Sequence, residues 1–176
     1  MILLEDTRQQ ANKHDSKHIY FSGHGVEVRR QALYVGDYTL PTNQSVCVDT
    51  KKDLQECVLD ICGAEHERFR NECIRAKEAG IKLYILVEED QTDDNGHFVI
   101  NSLYDVHKWK NPRREIRVKK DGVWVQKYPR ATTGVILKKA MITMMYRYGC
   151  EFVFCRKKDA GKKILELLGV LPNECD

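Results

Sequence analysis

The sequence predicts an α/β fold, with helices packed on the faces of one sheet. Three observations carry this. Residues 53–62 and about 64–79 read as two helices in succession. Ile81–Val87 is a nearly continuous apolar run, the signature of a central buried strand. A strand pair precedes the helices, so the chain runs in β-α-β order and closes on a sheet with helical faces.

Taken from the N-terminus, residues 8–24 are polar and His-rich (His14, His18, His24), with Ile19, Tyr20 and Phe21 as the only apolar cluster. They read as a helix or loop leading to a turn at Gly23–Gly25 and a strand beginning near Val26. The irregular His spacing favours solvated imidazoles over a metal site. Residues 33–35 and 46–48 are β-branched or apolar, and Gly36, Pro41 and Asn43 break the chain between them, which predicts a hairpin-like strand pair. The first helix turns Leu54, Cys57, Val58 and Ile61 inward, and Gly80 suits the C-cap of the second. Glu88–Asp90 and Asp93–Gly96 form an acidic, turn-rich loop without the regular alternation of acids that a calcium loop requires.

Further along, Glu115–Lys120 and Val123–Tyr128 flank Asp121-Gly122, the strongest short hairpin signal. A helix over Val135–Tyr148 presents Leu137, Met141, Met144, Met145 and Tyr148 on one face. Glu151–Cys155 reads as a short strand. Asp159 is positioned to cap a last helix carrying Ile164, Leu165 and Leu168, which Gly169 ends.

At 176 residues and 42% hydrophobic, the chain buries one core, so a single domain over 1–176 is expected. No apolar run is long enough to span a bilayer, and Met1–Leu4 meets Glu5 and Asp6 at once, unlike a signal peptide. Seven cysteines, an odd number without an export signal, point to free thiols in the reducing cytoplasm. Cys57/Cys62 and Cys150/Cys155 are each separated by four residues, outside the tight zinc-knuckle spacing, so buried small hydrophobes explain them better.

The chemistry concentrates in Val35-Gly36-Asp37-Tyr38 and Val48-Asp49-Thr50-Lys51. Asp37 and Asp49 end neighbouring strands, and Lys51 shares a face with Asp49 because side chains alternate with period two. Two hard oxygen ligands suit Mg²⁺ or Mn²⁺, and an adjacent ammonium can orient or deprotonate an attacking water. This is apparatus for phosphodiester hydrolysis. Positive charge gathers elsewhere: residues 108–130 hold nine Lys/Arg against two acids, +7 in a chain of net +3, beside Trp109, Trp124 and Tyr128. Arg113, Arg114, Arg117, Lys119, Lys120, Trp124 and Lys127 are therefore candidate contacts to a polyanion, DNA above all.

The spacing from Gly36-Asp37 to Asp49-Thr50-Lys51 matches the nuclease core known as PD-(D/E)XK. Leu3–Gln9 resembles the V-D-x-R-E opening of the XPF-type structure-specific endonuclease domain, Val35–Tyr38 its V-G-D-Y/F, Asp49–Lys51 its E-R-K, and Glu67–Cys73 its G-R-x-x-x-Q segment. The resemblance implies a restriction-endonuclease-like central mixed sheet flanked by helices. On it, the region 97–130 is an inserted basic β-hairpin, and no helix-hairpin-helix module follows. It implies a metal-dependent DNA endonuclease acting on branched, flap or forked DNA in repair or recombination. Asp37, Asp49 and Lys51 would be catalytic, and Asp6, Asp37 and Asp49 would hold Mg²⁺ (or Mn²⁺), Asp6 directly or through water. Arg8, Arg68 and Glu72 would support them, and a homodimer is the family's common assembly. The sequence departs from the pattern at Gln9, Asp49 and Thr50, where the family has Glu, Glu and Arg. Those departures keep a second reading open, a non-catalytic DNA-binding domain of the same fold. A restriction- or recombinase-type nuclease acting on linear DNA is a third.

Overall fold

The computed structural model describes residues 1–8 and 15–170, so Gln9, His14 and Cys175 lie outside it. Six strands form one mixed sheet: β1 (Ile2–Asp6), β2 (Glu27–Gln31), β3 (Tyr38–Leu40), β4 (Asn43–Lys51), β5 (Lys82–Glu88) and β8 (Glu151–Cys155). Their order is β2-β1-β3-β4-β5-β8. The β1–β2, β4–β5 and β5–β8 pairs are parallel, while β3 runs antiparallel to both β1 and β4.

Strand alternation divides the core in two. Cys47, Ile85 and Val87 face α2 (Leu54–Cys62), α3 (His66–Glu78) and α4 (Gly134–Tyr148), packing on Leu54, Phe69, Leu137 and Met141. Leu3, Tyr38, Val48 and Leu86 face α1 (Asp15–Gly23) and α5 (Ala160–Leu167), packing on Phe21, Ile164 and Leu165. The helices expected after the strand pair are both present. Asp53 caps α2 by accepting from the Glu56 amide at 2.8 Å, and Gly80 takes the left-handed conformation after α3 with φ 68°.

Two expectations fail. Leu33–Val35 is not a strand; the strand is Tyr38–Leu40, in register with Val48 and Cys47 of β4. The apolar Leu33 and Val35 instead plug the core, and the Leu33 and Gly36 amides donate to carboxylates rather than to a ladder. Asp159 precedes α5 but its side chain makes no capping hydrogen bond, because it ends a short 3₁₀ turn, Lys157–Asp159, that feeds the helix.

The second hairpin forms as the Asp-Gly signal requires. β6 (Arg117–Lys120) and β7 (Val123–Gln126) pair only with each other, and Asp121 and Gly122 both have positive φ, 50° and 83°. Its base is tied down by Arg114, which donates to the Pro129 and Ala131 carbonyls at 3.1 and 3.0 Å. Among the described residues no helix is long and apolar enough to cross a membrane.

Candidate active site

The ends of β1, β3 and β4 meet beside α3, which brings together Asp6, Arg8, Asp37, Asp49, Arg68 and Glu72, while Lys51 is buried against Asp49 and is not among the residues that line the cavity. A cavity of about 270 Å³ is lined by Asp6, Arg8, Gly36, Asp37, Asp49, Arg68, Glu72 and Arg75. Asp37 sits between two strands: its amide donates to the Val48 carbonyl at 2.8 Å and its carbonyl accepts from the Asp6 amide at 2.9 Å. Gly36 makes this possible, with φ 72° and its backbone against β4. A Cβ there would lie 3.1 Å from the Cys47 Cβ and 3.2 Å from the Val48 carbonyl oxygen. Gly36→Ala is expected to destabilise the fold by about 2 kcal/mol, read as a fall in melting temperature of roughly 4–8 °C.

Asp37 Oδ2 accepts from both the amide and the hydroxyl of Thr50 at 2.7 Å. Thr50, which departs from the family's arginine, thus orients the first acid, and Asp37 Oδ1 makes no hydrogen bond among the described residues. Asp49 and Lys51 share a face as strand alternation predicts, with Lys51 Nζ 2.8 Å from Asp49 Oδ2. The same ammonium lies 2.8 Å from Asp60 Oδ2 and 4.8 Å from the centre of the Phe69 ring. Asp49 Oδ2 and Asp60 Oδ2 are both buried, and each is paired with this one ammonium.

The electrostatics follow from this crowding. Burial raises the Asp49 carboxyl well above the usual carboxylate range; Lys51 opposes the shift, and Asp37 and Glu72 add to it. Asp37 is raised too, chiefly by burial, against the pull of Lys51 and Thr50. Burial would strip the proton from Lys51, but Asp49 and Asp60 outweigh it and hold the group as an ammonium. Asp6 is a different acid. Burial pushes it up, yet Arg8 and the Leu33 amide more than compensate, leaving it below its ordinary value. Asp6 Oδ1 accepts from the Arg8 amide at 2.7 Å and from Arg8 Nε at 2.9 Å. Asp6 Oδ2 accepts from the Leu33 amide at 3.1 Å and from Arg8 Nη2.

Helix α3 supplies the cavity's other wall. Glu72 Oε1 accepts from the Gly36 amide at 2.9 Å, clamping the helix to the turn that carries Asp37. Arg68, Glu72 and Arg75 recur at helical spacing and so share one face. Arg68 is engaged with Glu65 at 3.1 Å and with Asp60 at 3.6 Å. Arg75 is half-buried, and its guanidinium has no ion pair among the described residues. Arg75 and Asp60 were not among the residues singled out by sequence. Both left a signal: Arg75 lies seven residues beyond Arg68, and Asp60 is an acid set in the apolar stripe of α2.

A family model for the ERCC4 domain matches residues 6–168. The chain belongs to the ERCC4 domain family. That family is one of DNA nucleases. The solved structure "XPF from Aeropyrum pernix" superposes with a TM-score of 0.58 at 17% identity, covering 95% of this chain and 64% of that one. The same protein in complex with DNA superposes with a TM-score of 0.58 at 19% identity, covering 96% and 63%. This chain therefore spans less than two thirds of the length of those structures. No curated protein matches it in sequence. The likeness confirms the central mixed sheet with flanking helices, the architecture expected of an ERCC4 domain.

The DNA-contact residues expected from sequence divide by environment. Arg117, Lys119 and Lys120 are exposed on the hairpin, and Trp124 is 66% exposed. Arg114 is occupied in tying the hairpin's base. Arg113 and Lys127 lie over the Tyr128 ring, 5.9 and 5.3 Å from its centre.

Proposed function

We propose that this ERCC4 domain is a metal-dependent endonuclease that hydrolyses DNA phosphodiester bonds at the cavity lined by Asp37 and Asp49, with Lys51 paired to Asp49. The observation that carries the reading is the pair of buried acids facing one cavity: Asp49, held by Lys51, beside Asp37, whose Oδ1 is unengaged among the described residues. Hard oxygen donors held in this way fit Mg²⁺ or Mn²⁺, although no group of three ligand side chains is preassembled among the described residues. Asp37 and Asp49 would hold the ion directly. Asp6, whose two oxygens are already committed to Arg8 and Leu33, would act through water and by holding Arg8 in place. The ion, when bound, polarises the scissile phosphate and makes its bound water more acidic.

The chain's own residues supply the rest. Lys51, kept protonated between Asp49 and Asp60, orients a water and offers positive charge to the phosphate; as an ammonium it cannot accept that water's proton. Thr50 fixes the rotamer of Asp37, and Glu72 fixes the turn beneath it. Arg8, Arg68 and Arg75 line the same cavity and bind phosphate oxygens on either side of the cut. Arg75→Ala is expected to weaken DNA binding uniformly across sequences and to lower the salt slope of log K by about 1, measured by anisotropy over a salt series.

Incubating the chain with forked, flap, Holliday and plain duplex DNA in Mg²⁺, Mn²⁺ or chelator tests the reading. Cleavage in metal and none in chelator is expected, with branched substrates cut fastest. DNA bound but uncut in both metals would replace it with the non-catalytic binding domain.

A further inference from the structure

The β6–β7 ribbon has two unlike faces. Register places Lys119 directly opposite Trp124, and Arg117 opposite Gln126, so these four share one face. Val118 pairs with Val125 on the other face, and both valines are half-buried. One face of the ribbon thus carries the half-buried Val118 and Val125 with the exposed Val123, and the other, outward face carries the exposed Arg117, Lys119 and Trp124. Two tryptophans make the contrast plain: Trp109 is 5% exposed within the core, whereas Trp124 is 66% exposed. An isolated two-stranded ribbon is marginal in water, and leaving an indole in solvent forgoes burial that would have stabilised it. The ribbon is nevertheless held out from the sheet by the Arg114 anchor and by Gln126 Nε2, which donates to the Arg114 carbonyl at 2.8 Å.

We infer that the outward face of this ribbon is a stacking platform for unpaired DNA bases. This rests on the nuclease reading for its polyanion, and names the DNA that the domain engages. A duplex covers the faces of its bases everywhere except at its ends, so a solvent-facing indole finds a flat aromatic partner only where bases are unpaired or terminal. The side chain directly across from the indole is an ammonium, and the next on that face is a guanidinium, placed for the phosphates that flank a stacked base. An indole stacks on any base, because every base has a π-face, so this contact is tolerant of sequence. Lys120 lies on the other face, opposite Val123, and belongs to the general field rather than to the platform.

The test uses the whole chain in chelator, where DNA is bound without being cut. Labelled single-stranded and forked oligonucleotides and a covalently closed double-stranded minicircle, which has neither ends nor unpaired loops, would be titrated by anisotropy. Trp124→Ala is expected to weaken single-strand and forked binding by roughly tenfold per stacked base. Binding to the closed duplex is expected to stay unchanged, and Trp124→Phe to restore most of the lost affinity. Tryptophan emission should be quenched by single-stranded DNA in the wild type and not in Trp124→Ala. Equal weakening on all three DNAs would reassign the ribbon to general phosphate contact, and no change on any would remove it from the DNA interface; either overturns the proposal. Because binding is read without metal, a failure of cleavage leaves this result standing, and a silent Trp124 leaves the nuclease reading standing.

Discussion

Asp49→Asn is expected to abolish cleavage while leaving the fold at least as stable as the wild type. Asp49 is 5% exposed and shares its cavity with Asp37 and Glu72. Without a bound cation the three carboxylates repel one another, and Lys51 offsets part of that repulsion at Asp49. Removing one negative charge relieves the native state, the expected sign at a site built for function rather than stability. The same change removes a hard ligand. With metal activation supplying several kcal/mol of barrier lowering, a loss of roughly a thousandfold in rate is expected. Melting temperature and cleavage measured on one preparation check both halves. A variant that loses activity because it unfolds would contradict the argument, as would one that keeps its rate.

Lys51→Met is expected to have the largest effect on stability. Its ammonium is the cation between two buried acids, 2.8 Å from each of Asp49 and Asp60. Taking it away leaves both carboxylates buried without that compensation, an effect of about 3–5 kcal/mol. The pH dependence has a definite sign. The Asp49 carboxyl is raised above its value of 3.8 in the unfolded chain even with Lys51 present, and more so without it. In the window above the unfolded value, the native state holds a proton that the unfolded state has released. Stability therefore falls as pH rises through that window. The deficit of Lys51→Met relative to wild type should shrink on going from neutral toward mildly acidic pH, measured by urea unfolding at each pH. A deficit that stays constant with pH would mean that the loss is one of packing against Phe69, not of charge.

The parts of this site that could be read from sequence were those set by local periodicity. Asp49 and Lys51 fall on one face because a strand alternates, and Glu72 joins Arg68 because a helix repeats. Gly36 marked the turn because only a left-handed residue fits there. What could not be read depended on partners distant in the chain. Leu33–Val35 looked like a strand by its apolar content, but its neighbourhood spends backbone amides on Asp6 and Glu72, which no local pattern reveals. Asp6 looked like a metal ligand, and only the fold shows both of its oxygens taken by Arg8 and Leu33. The pairing of β1 with β2 and β3, which brings Asp6 to the cavity, joins segments more than twenty residues apart. The hairpin was legible from Asp121-Gly122, but the outward turn of Trp124 was not, since an aromatic in an alternating strand reads equally as core.

The claim that Asp37 and Asp49 form a metal site is tested most directly by titrating Mn²⁺ into the DNA-free protein and reading bound ion by electron paramagnetic resonance. The wild type should show a saturable site that Asp37→Asn and Asp49→Asn each remove and Asp6→Asn weakens far less. Mn²⁺ bound equally well by the wild type and by both variants would contradict it.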